Sequence, residues 1–316
     1  MLTRWTNRMS ARIGIALCLL APGCTSQPGT CSVQKEADLS VSFTAHGLPV
    51  VDVQIDGKTE HMILDTGSVV TTLTPRAAAA LNLRNLMPSP LTMVGIGGEQ
   101  KNLPSTYLNI DMGGWHILNT LTLIVAQGPA LLEASSGVDG SIGTNMLKPF
   151  DIDYDLPDRG ISLYLSPGCI PDTSPPPWPP PYGVLSSYDR LGDESYVEIM
   201  LDGTPLPAVI DSGATKTIAP SALLKLEGIF PKKTEKNFAT RAIGYGPKTV
   251  TLTFEQFGNI TIGDESYANP WLPVADNHDD VQTVILGENY LRDHRVFVAN
   301  STQVVYLGLM VSPNKK

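Results

Sequence analysis

The chain has 316 residues, 42% of them hydrophobic and 17% charged. That is enough for two ordinary domains and too apolar for disorder to be the default. A formal net charge of -9 argues against nucleic acid or an anionic membrane surface as the main partner.

Arg4, Arg8 and Arg12 precede an apolar run from Ile13 to Leu20. The run is too short to anchor across a bilayer, so residues 1–24 read as an export signal. It ends in Ala21-Pro22-Gly23-Cys24, which resembles a bacterial lipoprotein cleavage box with Cys24 as the lipid-bearing first residue of the mature chain. Ala21 stands where Leu is usual and Pro22 is foreign to that box, so cleavage to a soluble periplasmic or secreted form is the alternative. The expected location is the cell envelope of a bacterium, as a periplasmic protein or an outer-membrane lipoprotein, with membrane contact only through the N-terminal lipid. Cleavage removes three arginines and no acid, which takes the charge from -9 to -12. Cys31 and Cys169 then remain in an oxidising compartment, either as a disulfide that closes the first domain at its two ends or as two buried thiols.

Along the first half, Val51, Val53 and Ile55 alternate with polar residues, Asp56-Gly57 offers a tight turn, and a returning strand through Met62, Ile63 and Leu64 delivers Asp65. Pro75 opens a helix candidate, TPRAAAALNL. The proline-rich stretch PDTSPPPWPPPYG cannot form helix or interior strand and reads as a stiff connector over 169–183. Beyond it the pattern repeats. Val197, Ile199 and Leu201 alternate, Asp202-Gly203 turns, Ala208, Val209 and Ile210 deliver Asp211, and Pro220 opens APSALLKL as a second helix. SIGTNML at 141–147 and ILGENYL at 285–291 share apolar-Gly-x-Asn-x-Leu, with Asp65 78 residues before Gly143 and Asp211 76 before Gly287. Four features at matched spacing identify a duplicated, mainly β unit, expected over 38–168 and 184–311.

Asp65-Thr66-Gly67-Ser68 and Asp211-Ser212-Gly213-Ala214 resemble the two active-site loops of the aspartic peptidases, most closely the compact bacterial retropepsin-like members. The resemblance implies an all-β fold of two homologous β-barrel lobes with few short helices and a cleft between them. It further implies that Ile142-Gly143 and Leu286-Gly287 pack beneath the loops in a ψ-shaped arrangement, and that Thr66 and Ser212 bond across to the opposite loop. The activity implied is endopeptidase cleavage of a polypeptide by a single chain acting as a monomer. No basic prosegment follows Cys24, so a pepsin-type zymogen is not expected.

Two carboxyls held together cannot both ionise readily, so they share a proton and supply one base and one acid to a water. Gly67 and Gly213 permit the close approach this needs. Ser68 can donate to Asp65 whereas Ala214 cannot serve Asp211, so Asp65 is expected to be the more acidic member. Two glycine-rich stretches follow the aspartates by about 30 residues. Gly95-Ile96-Gly97-Gly98 and Gly244-Tyr245-Gly246 are read as flap candidates, with ordinary hairpin turns as the alternative and Tyr245 as a group that could close over the pair. The five histidines lack metal-ligand spacing, so no metal and no cofactor is expected, and no G-x-S-x-G elbow supports a serine hydrolase. An exported peptide-binding protein that keeps this fold without cutting is the rival reading.

Overall fold

The computed structural model describes residues 31–126, 128, 137–170, 175–188, 195–234, 238–276 and 282–308. The export-signal stretch with Cys24 lies outside these residues. The fold is mostly β, with 51% strand, 8% helix and a closed six-stranded barrel.

Strands Pro49–Ile55 and Lys58–Leu64 are joined by the Asp56-Gly57 turn, where both residues have positive φ, 51° and 73°. A two-residue turn of this kind matches the twist of the strands it joins, and Asp-Gly tolerates it. Val51, Val53 and Ile55 point inward while Asp52 and Gln54 face solvent. Lys58–Leu64 then runs into the interior, so Met62, Ile63 and Leu64 are all buried, and each stabilises by roughly 1.5–3 kcal/mol. The barrel continues from Lys58–Leu64 through Gly140–Ile142, Thr71–Leu73, Trp115–Ile124 and Pro104–Met112 back to Pro49–Ile55.

The second half follows the same circuit from Tyr196–Leu201 and Thr204–Ile210 through Val284–Leu286. Its counterpart of the long Pro104–Met112 hairpin is interrupted twice, at Phe257-Gly258 and at Asn269-Pro270. Pro270 has no N–H to give a ladder, and the chain bends there with Asn269 at φ 53°. Hydrogen bonds from Phe257 N to Pro270 O (3.0 Å) and Asn269 N to Gly258 O (2.8 Å) still hold the hairpin together. In the first half the equivalent bend is a bulge between Ile117 and Thr120, with Asn119 also at φ 53°.

Three strands from each side of the proline stretch build one antiparallel sheet in the order Gln34–Ser40, Gly160–Leu165, Asp151–Asp155, Arg295–Ala299, Val304–Gly308, Tyr182–Tyr188. Its centre pairs Ile152 with Val298, so the halves share a continuous hydrogen-bonded floor. The expected boundaries at 38 and 184 therefore fall inside strands, because the segments flanking each half are recruited into this joint. A disulfide joins Cys31 to Cys169 at the two ends of the first half.

The connector is anchored in the same region. Trp178 packs edge-on against Phe297 and lies under the Arg295 guanidinium. Pro75 is the first residue of its helix, Pro75–Ala80, capped by Thr74. Pro220 departs from expectation. It sits before the helix Ser221–Leu226 with φ -71° and ψ 131°, because Ala219-Pro220 is extended and paired with Val274-Ala275.

Candidate active site

Each aspartate lies just past the end of an inward-running strand, and its backbone N–H is fixed by the neighbouring apolar-Gly element. Asp65 N donates to Ile142 O and Asp211 N to Leu286 O, both at 3.0 Å. Below the loops, Gly143 N donates to Thr71 Oγ1 and Gly287 N to Thr217 Oγ1, both at 3.2 Å. Side chains at Gly143 or Gly287 would collide with the backbone of Val70 or Lys216, so these positions admit only glycine. Asn145 and Asn289, noticed in the repeat without a role, accept the N–H groups of Thr71 and Thr217 and so staple each loop to its support.

The two loops interlock. Thr66 Oγ1 donates to Ile210 O (2.6 Å) and accepts from Ser212 N (3.0 Å), while Ser212 Oγ donates to Leu64 O (2.6 Å) and accepts from Thr66 N (3.2 Å). A methyl carbon placed on Gly67 would lie 2.5 and 2.6 Å from the carboxylate oxygens of Asp211, and one on Gly213 would lie 2.8 Å from Asp65 Oδ2. Each loop therefore presents bare backbone to the other loop's carboxyl. The Asp65 and Asp211 side chains are within hydrogen-bonding reach of one another.

Burial raises Asp211 to about 6, against the lowering influence of the Gly213 and Ala214 N–H groups and of Asp65. Ser68 does not play its expected part. Its hydroxyl donates to Val70 O at 2.9 Å, which uses its one proton within its own loop. A hydroxyl donor to Asp65 comes from the other half of the chain, where Tyr245 OH donates to Asp65 Oδ2 at 3.2 Å. Burial beside Asp65 pushes the phenol far above its usual value, so it stays protonated. Ser141 Oγ lies 2.8 Å from that phenol oxygen and Thr72 Oγ1 2.9 Å from Ser141 Oγ. With the phenol proton committed to Asp65, the donors run Thr72 to Ser141 to Tyr245, and Asp65 accepts at the end.

Both flap candidates are hairpin tips, and the tips meet above the aspartates. Met93–Gly95 pairs with Gly98–Gln100 around Ile96-Gly97, and Phe238–Ala242 pairs with Val250–Gln256 around a loop over 243–249. Gly97 N donates to Tyr245 O (2.9 Å) and Lys248 N to Gly97 O (3.0 Å). The glycines serve both bending, with Gly98 at φ 97° and Gly246 at φ 118°, and close packing. A side chain at Gly97 would sit 2.7 Å from Lys248 O, and one at Gly246 would press into the backbone of Gly97 and Gly98.

Glu288, which follows Gly287, is fully buried, and neither of its carboxyl oxygens has a hydrogen-bond partner. Burial raises it to about 8, opposed by Arg292 and reinforced by Asp211. The equivalent residue in the first half is Thr144, so neither repeat nor spacing marked this position. Among the described residues, no group of three His, Cys, Asp or Glu is placed to hold a metal ion.

Residues 51–148 match the family described as "gag-polyprotein putative aspartyl protease". Residues 51–148 form a retropepsin-like aspartyl protease domain. No curated protein matches the chain. The matched protease domain contains Asp65, the first hairpin tip and Ile142-Gly143, while Asp211 lies beyond it.

Proposed function

We propose that the chain is an aspartic endopeptidase in which Asp65 and Asp211 act together on one water. The observation that carries this reading is the reciprocal fit of Gly67 against the Asp211 carboxyl and Gly213 against the Asp65 carboxyl. It gives the mutual proximity that lets one acid stay protonated beside an ionised partner. A protease domain in the first half supports the same activity class.

In this reading Asp211 carries the shared proton and Asp65 is ionised. Asp65 takes a proton from water as its oxygen bonds to the scissile carbonyl carbon, and Asp211 gives its proton to the carbonyl oxygen. Collapse of the resulting diol returns a proton to Asp211, moves the Asp65 proton to the amide nitrogen and breaks the C–N bond. No metal or covalent intermediate is required. The aspartates come from different halves of one chain, so a monomer is sufficient. Export, and tethering through Cys24, are part of the same proposal and place the substrate among envelope polypeptides.

Cleavage of an unstructured peptide pool at pH 4 and pH 7 tests the reading, with Asp65→Asn, Asp211→Asn and a statine-type inhibitor as controls. Cleavage abolished by either substitution and by the inhibitor is the expected result. Peptide binding without cleavage would show a non-catalytic binding protein, and cleavage indifferent to both substitutions would place the chemistry elsewhere.

A further inference from the structure

The hairpin tips exchange side chains across the site. Tyr245 belongs to the second half, yet its ring packs with Val70, Met93, Leu123 and Val125 of the first half. Ile96 makes the reverse crossing and packs with Ile218, Val250, Leu252 and Ala275 of the second half, beside Ile285. Each occupies a recess next to one of the two aspartate loops.

The two recesses have equivalent floors of opposite character. Thr72 and Ile218 each stand seven residues beyond their aspartate, and Ser141 and Ile285 each precede the apolar-Gly pair. Thr72 pairs with Ser141 in the first half, and Ile218 bridges Ile285 in the second. One floor is thus two hydroxyls and the other two isoleucines. The first floor holds a phenol hydroxyl, the second an aliphatic side chain.

Tyr245 OH on Asp65 Oδ2 lies where a scissile peptide has to approach. The tips that hold it there are joined through two backbone hydrogen bonds and carry exposed flanks at Val94 and Ile243, and a substrate side chain entering each recess would replace the contacts that Tyr245 and Ile96 give up on opening. Resting on the peptidase reading above, we infer that Tyr245 and Ile96 occupy the sites for the two substrate side chains that flank the scissile bond. The preferred substrate is a polypeptide cut between a tyrosine, its hydroxyl received by Ser141, and an aliphatic residue such as isoleucine, valine or leucine.

The test is kcat/KM of the full chain on a fixed peptide whose scissile pair is varied, with Tyr, Phe or Leu on one side and Ile or Asp on the other, in both orders. Tyr is expected to exceed Phe by about tenfold, the worth of one hydrogen bond to a buried partner, and Ile to exceed Asp. Ser141→Ala is expected to bring the Tyr:Phe ratio to about one. Should that variant not fold, the wild-type ratio between Tyr and Phe decides the matter alone. Equal cleavage of Tyr and Phe peptides, still dependent on both aspartates, would overturn the inference and leave the peptidase reading intact. Absence of aspartate-dependent cleavage of any peptide would instead remove the reading on which the inference rests.

Discussion

Gly67 lies against the Asp211 carboxyl with no space for a methyl group between them, and Gly213 lies likewise against Asp65. The obstructing atoms belong to short, tightly held side chains, so neither can swing aside. Gly67→Ala and Gly213→Ala are each expected to cut kcat/KM by about a hundredfold or more while the protein still folds, because the damage is local to the interlocked loops. Circular dichroism alongside peptide cleavage checks both halves of that statement. Retained activity would mean that the aspartates need not sit so close.

Because Asp211 is raised to about 6 by burial, the required acid is present below that pH and disappears above it. The expected kcat/KM profile falls on the alkaline side with a midpoint near pH 6, an apparent value that belongs to the pair of carboxyls. Asp65→Asn and Asp211→Asn should each reduce the rate by about a thousandfold or more. An alkaline limb centred well above pH 8 would contradict the assignment of the proton to Asp211.

Glu288 makes a prediction about stability. Its folded value of about 8 exceeds the ordinary 4.5, so the folded state binds the proton more tightly than the unfolded state. Its contribution is fully present below about pH 4.5 and is lost as pH rises through about 8. Between those limits the loss amounts to about 3 kcal/mol by pH 7. Melting temperatures from pH 5 to pH 9 are expected to decline less steeply for Glu288→Gln than for the wild type. Parallel curves would refute an ionisable burden at this position.

Arg295 joins the halves. Its guanidinium donates through two nitrogens to Asp153, which is 1% exposed, and rests over Trp178 of the connector. Arg295→Ala leaves that carboxylate buried without its cation. A loss of about 2–3 kcal/mol is expected, the lower end for a broken buried pair because the guanidinium is itself partly in water. Urea unfolding of the single variant and of Arg295→Ala combined with Asp153→Asn should show partial recovery in the double variant.

The Cys31–Cys169 bond spans 138 residues and pins Gln34–Ser40 where it pairs with Gly160–Leu165. Replacing both cysteines with alanine is expected to cost about 2–5 kcal/mol, and a reducing agent should lower the melting temperature of the wild type alone.

The features readable from the chain were those set by local chemistry. Asp56-Gly57 and Asp202-Gly203 announce turns because few other residues accept positive φ at both positions. Pro75 announces a helix start because its missing N–H is not needed there. The repeated Asp-Thr/Ser-Gly announced two related loops because their spacing to Gly143 and Gly287 recurred. Ser68 and Pro220 were misread for one reason: residue type shows that a group can donate a proton or open a helix, but not which contact the folded backbone offers it. The Ser68 proton goes to Val70 O, and Pro220 follows the strand partner that Ala219 finds at Val274.

Sequence alone therefore determined the β repeat and the turns and singled out Asp65 and Asp211, since each depends on backbone preferences and on periodicity within a few residues. Only the tertiary structure decided that six strands from both halves share one sheet, that Tyr245 reaches Asp65, and that Thr72-Ser141 faces a site whose twin is lined by Ile218-Ile285. Thr72 and Ser141 stand 69 positions apart, Ile218 and Ile285 67, and Asp65 and Tyr245 180. Their existence depends on which distant surfaces meet when the core closes, and no local preference carries that information.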